Sequence, residues 1–119
     1  MKIIKRNGEQ RDFDSVKIKT AIVKANQTVA RPHMLTDMQI KRIVKYVTQA
    51  CETLGRPVNV EEIQDMVENH LMGTMAFEVA KHYILYRYEH EKARRRNNEL
   101  ETELFRHPDY LTEINPTDN

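Results

Sequence analysis

One cysteine, Cys51, leaves this chain without an intrachain disulfide and with too few thiols for a cysteine zinc cluster, which fits a reducing compartment. No apolar run approaches the roughly 20 residues needed to span a bilayer. The charged N-terminal stretch lacks the apolar region of a signal peptide. The expectation is a cytoplasmic protein without a membrane partner. A net charge of only +1 removes any global field that would draw nucleic acid or an acidic surface. Neither an internal repeat nor a low-complexity tract is present. His82 and His90 stand eight apart with no His-Glu-x-x-His pattern, so no metal site is expected. Glycine and proline are scarce, at three and four, and they fall at breaks between elements.

Charge, by contrast, is plentiful at 31% and unevenly spread. Residues 1–25 carry seven Lys/Arg against three Asp/Glu, whereas residues 97–119 carry one Arg against six acids. The richest stretch is 3–18. Lys5 and Arg6 end a short apolar strand, and Asn7-Gly8 supplies the positive φ of a two-residue type I′ hairpin. After a second strand, Asp14 or Ser15 caps a helix whose first turn carries Lys17 and Ile18. A hairpin running into a helix can bring three cations to one point beside apolar side chains. That suits a small, polyanionic, flat-based ligand such as a nucleotide.

Periodicity lays out the remainder. Residues 2–6 and 9–13 read as strands. The first helix carries Ile18, Ile22, Ala25 and Val29 on one stripe and is broken at Arg31-Pro32. Thr36 with Gln39 opens a second helix by a capping box, with Ile40, Ile43, Val44, Val47, Ala50, Cys51 and Leu54 inward and Gly55 as its stop. Residues 57–60 are extended and are placed as a third strand beside the hairpin. Asn59 with Glu62 caps a third helix bearing Ile63, Met66, Val67, His70 and Leu71, interrupted at Gly73. A fourth helix starts near Ala76, with Val79, Ala80, Tyr83 and Ile84 inward, and runs to at least Tyr88, with a solvated basic extension toward Arg96. His70 and Cys51 read as core residues, and Tyr83, Tyr86 and Tyr88 as core or interface. Residues 97–119 read as a mobile polar tail or linker. The fold class expected is α+β, a small three-stranded sheet packed on a bundle of about four helices.

Four segments in this order and spacing carry a resemblance. They are Ile3-x-Lys5-Arg6-Asn7-Gly8, Phe13-Asp14-x-x-Lys17-Ile18, Val58-x-Val60-Glu61-Glu62-Ile63-Gln64-Asp65-x-Val67-Glu68, and Val79-Ala80-Lys81-x-Tyr83-Ile84-Leu85-Tyr86-Arg87. Together, over roughly residues 2–92, they resemble the ATP-cone domain, found mostly at the N-terminus of ribonucleotide reductases and in a zinc-ribbon repressor of their genes. The resemblance implies residues 1–92 as a regulatory module that binds ATP or dATP, with 93–119 as a basic helix extension and acidic tail. In the family, ATP permits reductase activity, and dATP shuts it off by changing how subunits associate.

Carried onto this sequence, the resemblance makes Lys5, Arg6 and Lys17 phosphate ligands. It makes Ile3, Ile18 and Ile63 apolar walls around the base, with Asp14 accepting hydrogen bonds from the base or orienting it. Val60 and Gln64 begin the third helix, where backbone approaches phosphate. Arg87 is the cation from the last helix, with Lys81 and Lys92 as alternatives. Magnesium is expected on the phosphates, and the partners expected are a reductase catalytic domain or subunit and a homo- or hetero-oligomer. Arg11 departs from the acidic residue the family often carries there. The chain has no thiyl-radical cysteine set, glycyl-radical motif or four-cysteine ribbon, so a non-catalytic regulatory domain is expected. It is read as an excised domain, a free-standing cone or the front of a larger chain.

Energetics agree with such a site. Three or four charge-assisted hydrogen bonds of roughly 1.5–3 kcal/mol each give micromolar binding once ordering is subtracted. The competing reading is a nucleic-acid-binding or transcriptional regulator module working through Lys92, Arg94, Arg95 and Arg96, although these lack interleaved aromatics.

Overall fold

The computed structural model describes residues 1–106, with side chains through residue 97. Its elements are β1 (Lys2–Ile4), β2 (Gln10–Asp12), α1 (Ser15–Asn26), a 3₁₀ turn (Arg31–His33), α2 (Asp37–Leu54), β3 (Val58–Asn59), α3 (Val60–Gly73) and α4 (Phe77–Arg106). The sheet is mixed, in the order β2-β1-β3. β1 pairs antiparallel with β2, Ile3 opposite Arg11, and parallel with β3, Ile3 opposite Val58. The expected α+β architecture is present, with strands shorter than the sequence suggested. The chain divides into two compact units, Met1–Ile84 and the chain from Leu85 onward.

The hairpin differs from the expected type I′ form. Gly8 N–H donates to Lys5 C=O at 2.9 Å and Lys5 N–H to Glu9 C=O at 2.8 Å, so the loop is the three residues Arg6, Asn7 and Gly8. Only Gly8 has a positive φ, +86°, while Asn7 does not. This is a type I turn closed by a glycine bulge. Asn7 spends its side chain instead on the Glu9 N–H, at 3.0 Å.

Helix boundaries follow their capping chemistry. Asp14, not Ser15, caps α1 by accepting from Val16 N–H at 3.0 Å. Both expected capping boxes are complete: Thr36 with Gln39 on α2, and Asn59 with Glu62 on α3. Gly55 ends α2 in the left-handed region, φ 63°. Gly73 plays no such part for α3. Met75 N–H bonds Met72 C=O at 3.0 Å and Ala76 N–H bonds Leu71 C=O at 2.8 Å, a Schellman pattern whose left-handed residue is Met75, φ 64°. A side chain there is strained by roughly 1 kcal/mol relative to glycine. The Met75 side chain is exposed, so removing it costs little packing. Met75→Gly is therefore expected to raise stability by about 1 kcal/mol, or roughly 4–8 °C in Tm for a unit this size. Thermal unfolding checks this, and an unchanged or lower Tm refutes it.

The core of the first unit is one residue per turn from each helix, closed by the sheet. Ile22 and Ala25 come from α1, Ile40, Ile43, Val47 and Cys51 from α2, Ile63, Val67 and Leu71 from α3, and Val79, Ala80 and Tyr83 from α4; Val29 and Val58 complete it. Two residues expected inward are exposed, Leu54 on the last turn of α2 and Ile84 on α4, while Ile18, Val44, Ala50 and Met66 are half-buried at the margin of this core. His70 is half-buried against the Tyr46 ring, centroids 4.5 Å apart. The Cys51 thiol lies 3.8 Å from Met66 Sδ, and burial, with Glu62 and Glu52 adding to it, pushes it above its ordinary range. It is a packing group, not a nucleophile.

One buried polar side chain escaped the hydrophobic pattern. Asn26 receives a hydrogen bond from Leu35 N–H at 2.8 Å and donates to Leu35 C=O at 3.0 Å, tying the end of α1 to the entrance of α2. Thr28 ties α1 to α4: its one hydroxyl proton goes to Ala25 C=O, 2.7 Å, leaving His82 Nδ1, also at 2.7 Å, as donor. Residues 97–106, expected as tail, continue α4 as helix; residues 107–119 lie outside those described.

Candidate functional site

Strand register decides what can meet. β1 and β3 run parallel, with Ile4 opposite Asn59, so their C-terminal ends leave the sheet at the same edge. From β1 the chain continues into Lys5 and Arg6; from β3 it enters α3 at Val60. The hairpin cations are thus set beside the first turns of α3.

Side chains close that juxtaposition. Arg6 Nη2 donates to Gln64 Oε1 at 3.0 Å, and Arg6 Nε lies 3.9 Å from Glu61 Oε1. The Arg6 side chain is only 24% exposed, so the guanidinium lies along the helix and is not swinging in solvent. Lys5 Nζ is 3.9 Å from Glu9 Oε2, and Glu9 also faces Arg11 Nη2 at 3.5 Å. The start of α3 is clamped from the far side: Arg56 gives Glu62 a two-pronged hydrogen bond, at 2.7 and 3.1 Å. The Arg56 guanidinium first, and then the Asn59 backbone N–H, hold the Glu62 carboxyl below its ordinary range.

The apolar residues expected to wall the base divide by depth. Ile3 and Ile18 are half-buried, and Ile63 is buried one turn into α3. Val60 is half-buried as the first residue of α3. Asp14 and Lys17 emerge from the other side of the hairpin. β2 runs back so that Asp12 pairs with Lys2, and α1 therefore begins at the opposite edge of the sheet from Arg6. Asp14 is engaged as the α1 cap. Lys17 is exposed in the first turn of α1, with no ion pair among the described residues. Arg87 lies on α4 in the second unit, and the alternative Lys81 pairs with Glu78 at 3.5 Å.

The structure therefore joins Arg6 to Gln64 by direct contact and sets Lys5 at the same edge. Glu61, which sequence reasoning passed over as a first-turn helix acid, is part of the same cluster; only the strand register shows that it faces Arg6. A shallow hollow of about 360 Å³, lined by Met1, Lys2, Glu52, Arg56 and Pro57 among others, includes none of the expected ligand residues.

Residues 1–92 match the ATP cone domain family. The chain belongs to that family. As an ATP cone it is 31% identical over 109 residues, 85% of its length, to the ribonucleoside-diphosphate reductase subunit alpha of Chlamydia trachomatis, of which it covers 10%. It is 30% identical over 103 residues to the anaerobic ribonucleoside-triphosphate reductase of Haemophilus influenzae, covering 86% of this chain and 14% of that protein. It is 38% identical over 108 residues to the vitamin B12-dependent ribonucleoside-diphosphate reductase of Thermoplasma acidophilum, covering 82% and 13%. This cone thus spans about a tenth of the length of these relatives. A nucleotide-binding regulatory role follows from the family.

Proposed function

We propose that this ATP cone binds ATP and dATP as allosteric ligands and controls the activity or subunit association of a ribonucleotide reductase. The observation that carries the reading is the family match over residues 1–92. Lys5 and Arg6 act as phosphate ligands beside Val60 and Gln64 at the start of α3, and the exposed Lys17 side chain extends to the same phosphates from the first turn of α1. Ile3, Ile18 and Ile63 wall the base and Asp14 orients it. The module performs no chemistry of its own and works in the cytoplasm; among the described residues no helix is long and apolar enough to cross a membrane. Relatives that include a ribonucleoside-diphosphate reductase subunit alpha, an anaerobic ribonucleoside-triphosphate reductase and a vitamin B12-dependent reductase support a control device shared across kinds of reductase.

Magnesium enters this reading with the ligand. Among the described residues no cluster of three His, Cys, Asp or Glu side chains is placed to hold a metal. A divalent ion would be held by phosphate oxygens, leaving its remaining positions to water. Regulation is linkage: two nucleotides that favour different packings shift a partner's affinity by the difference between their own.

Calorimetry and thermal unfolding with ATP, dATP and GTP test the proposal. ATP and dATP at a hundred times their dissociation constants are expected to stabilise the chain by about 2.7 kcal/mol, and GTP by much less. No heat and no Tm shift with either adenine nucleotide at millimolar concentration refutes it.

A further inference from the structure

Both hairpin cations face an acid of their own chain, but the two acids differ. Glu9 is shared between Lys5 and Arg11. Glu61 faces Arg6, 3.9 Å from its Nε, and sits between Val60 and Gln64 in sequence, on the turn of α3 where phosphate is expected. A carboxylate there opposes an incoming polyanion twice. It competes for the guanidinium and it repels the phosphates. Yet it complements the positive end of α3, so it favours the free domain.

We infer that Glu61 sets the affinity of this site: it is the counter-ion of Arg6 in the free state and is displaced when a nucleoside triphosphate binds. The inference rests on the nucleotide reading above and deepens it. Gln64 keeps the guanidinium aligned along α3 through its 3.0 Å hydrogen bond, so Arg6 need only exchange one partner, not rebuild its position. The glutamate therefore trades ligand affinity for stability of the empty domain.

The signature is a pair of effects with opposite sign. Glu61→Gln preserves size and hydrogen-bonding capacity while removing the charge. It is expected to lower the Tm of the ligand-free chain slightly and to tighten ATP binding roughly two- to fivefold, the range for an exposed ion pair. The gain shrinks as ionic strength rises. Glu61→Asp, which keeps the charge, restores wild-type affinity at least in part. In an Arg6→Ala background, followed by thermal shift across millimolar ATP, Glu61→Gln is expected to give a clearly smaller gain, because the competition acts through Arg6. A glutamate with a purely structural role gives a lower Tm with unchanged or weaker binding, and that result overturns the inference while leaving the nucleotide site intact. An equal gain with and without Arg6 overturns it too. Absence of ATP binding to the wild-type chain removes this inference and the nucleotide reading together.

Discussion

Arg6→Ala is expected to leave the chain folded and to strip it of most of the stabilisation that ATP confers. Arg6 sits in the hairpin loop, outside the strand ladder, and its recorded contacts are side-chain contacts to Gln64 and Glu61. The far-ultraviolet spectrum and the ligand-free Tm should therefore stay close to wild type. A guanidinium on a phosphate contributes charge-assisted hydrogen bonds of roughly 1.5–3 kcal/mol each, so its removal weakens binding about 10- to 150-fold. At an ATP concentration that stabilises the wild type by about 2.7 kcal/mol, a 30-fold weaker variant retains under about 1 kcal/mol. Arg6→Lys keeps the charge but loses the planar fork that also reaches Gln64, and falls between the two. An undiminished Tm shift in Arg6→Ala would remove Arg6 from the phosphate site.

The largest loss of stability is expected from Leu71→Ala. Leu71 is fully buried, at the third inward position of α3 after Ile63 and Val67. Its removal forfeits the transfer free energy of a leucine and leaves a cavity, together about 2–5 kcal/mol. A small domain holds only about 5–15 kcal/mol in total, so the Tm should fall by about 10 °C or more. The backbone hydrogen bond that Leu71 C=O accepts from Ala76 does not depend on the side chain, so the end of α3 keeps its geometry. Met72→Ala is the control. One residue on, that side chain is 47% exposed, and the change should stay within about 0.5 kcal/mol. Equal losses at 71 and 72, read by denaturant unfolding, would mean that α3 buries a different face.

Much of this architecture was legible because local chemistry and burial agree. Thr36 with Gln39 and Asn59 with Glu62 announced two helix starts, and both boxes form as read. The α2 stripe Ile40, Ile43, Val47 and Cys51 is the buried face. Misreadings arose where two devices share one signal. Asn7-Gly8 fits a two-residue hairpin as well as the three-residue loop that forms, and the difference is one φ angle. α3 does end at Gly73 as read, but the left-handed residue that closes it lies two positions on, at a methionine that no propensity favours there. Asn26 is polar on an apolar stripe, and only the carbonyl and amide of Leu35 explain why it is inside. The polar composition of residues 97–106 concealed a helix, since charge along a solvated helix resembles charge along a linker.

For the site, the sequence named Arg6 and Gln64 fifty-eight positions apart, and the structure puts them in hydrogen-bond contact. Glu61 escaped notice because helix-start acids are common and nothing local marks one as facing a cation. That knowledge resides in the pairing of β1 with β3, a long-range fact absent from any window of the sequence.

Asn59 is at once the last residue of β3 and the cap of α3. The joint between strand and helix consequently has no slack. Sliding β3 by a single position against β1 would uncork the helix in the same movement, so the two elements behave as one stiff piece. A displacement at the neighbouring end of β1 would reach the first turn of α3 through that joint. No flexible residue stands between them to absorb it.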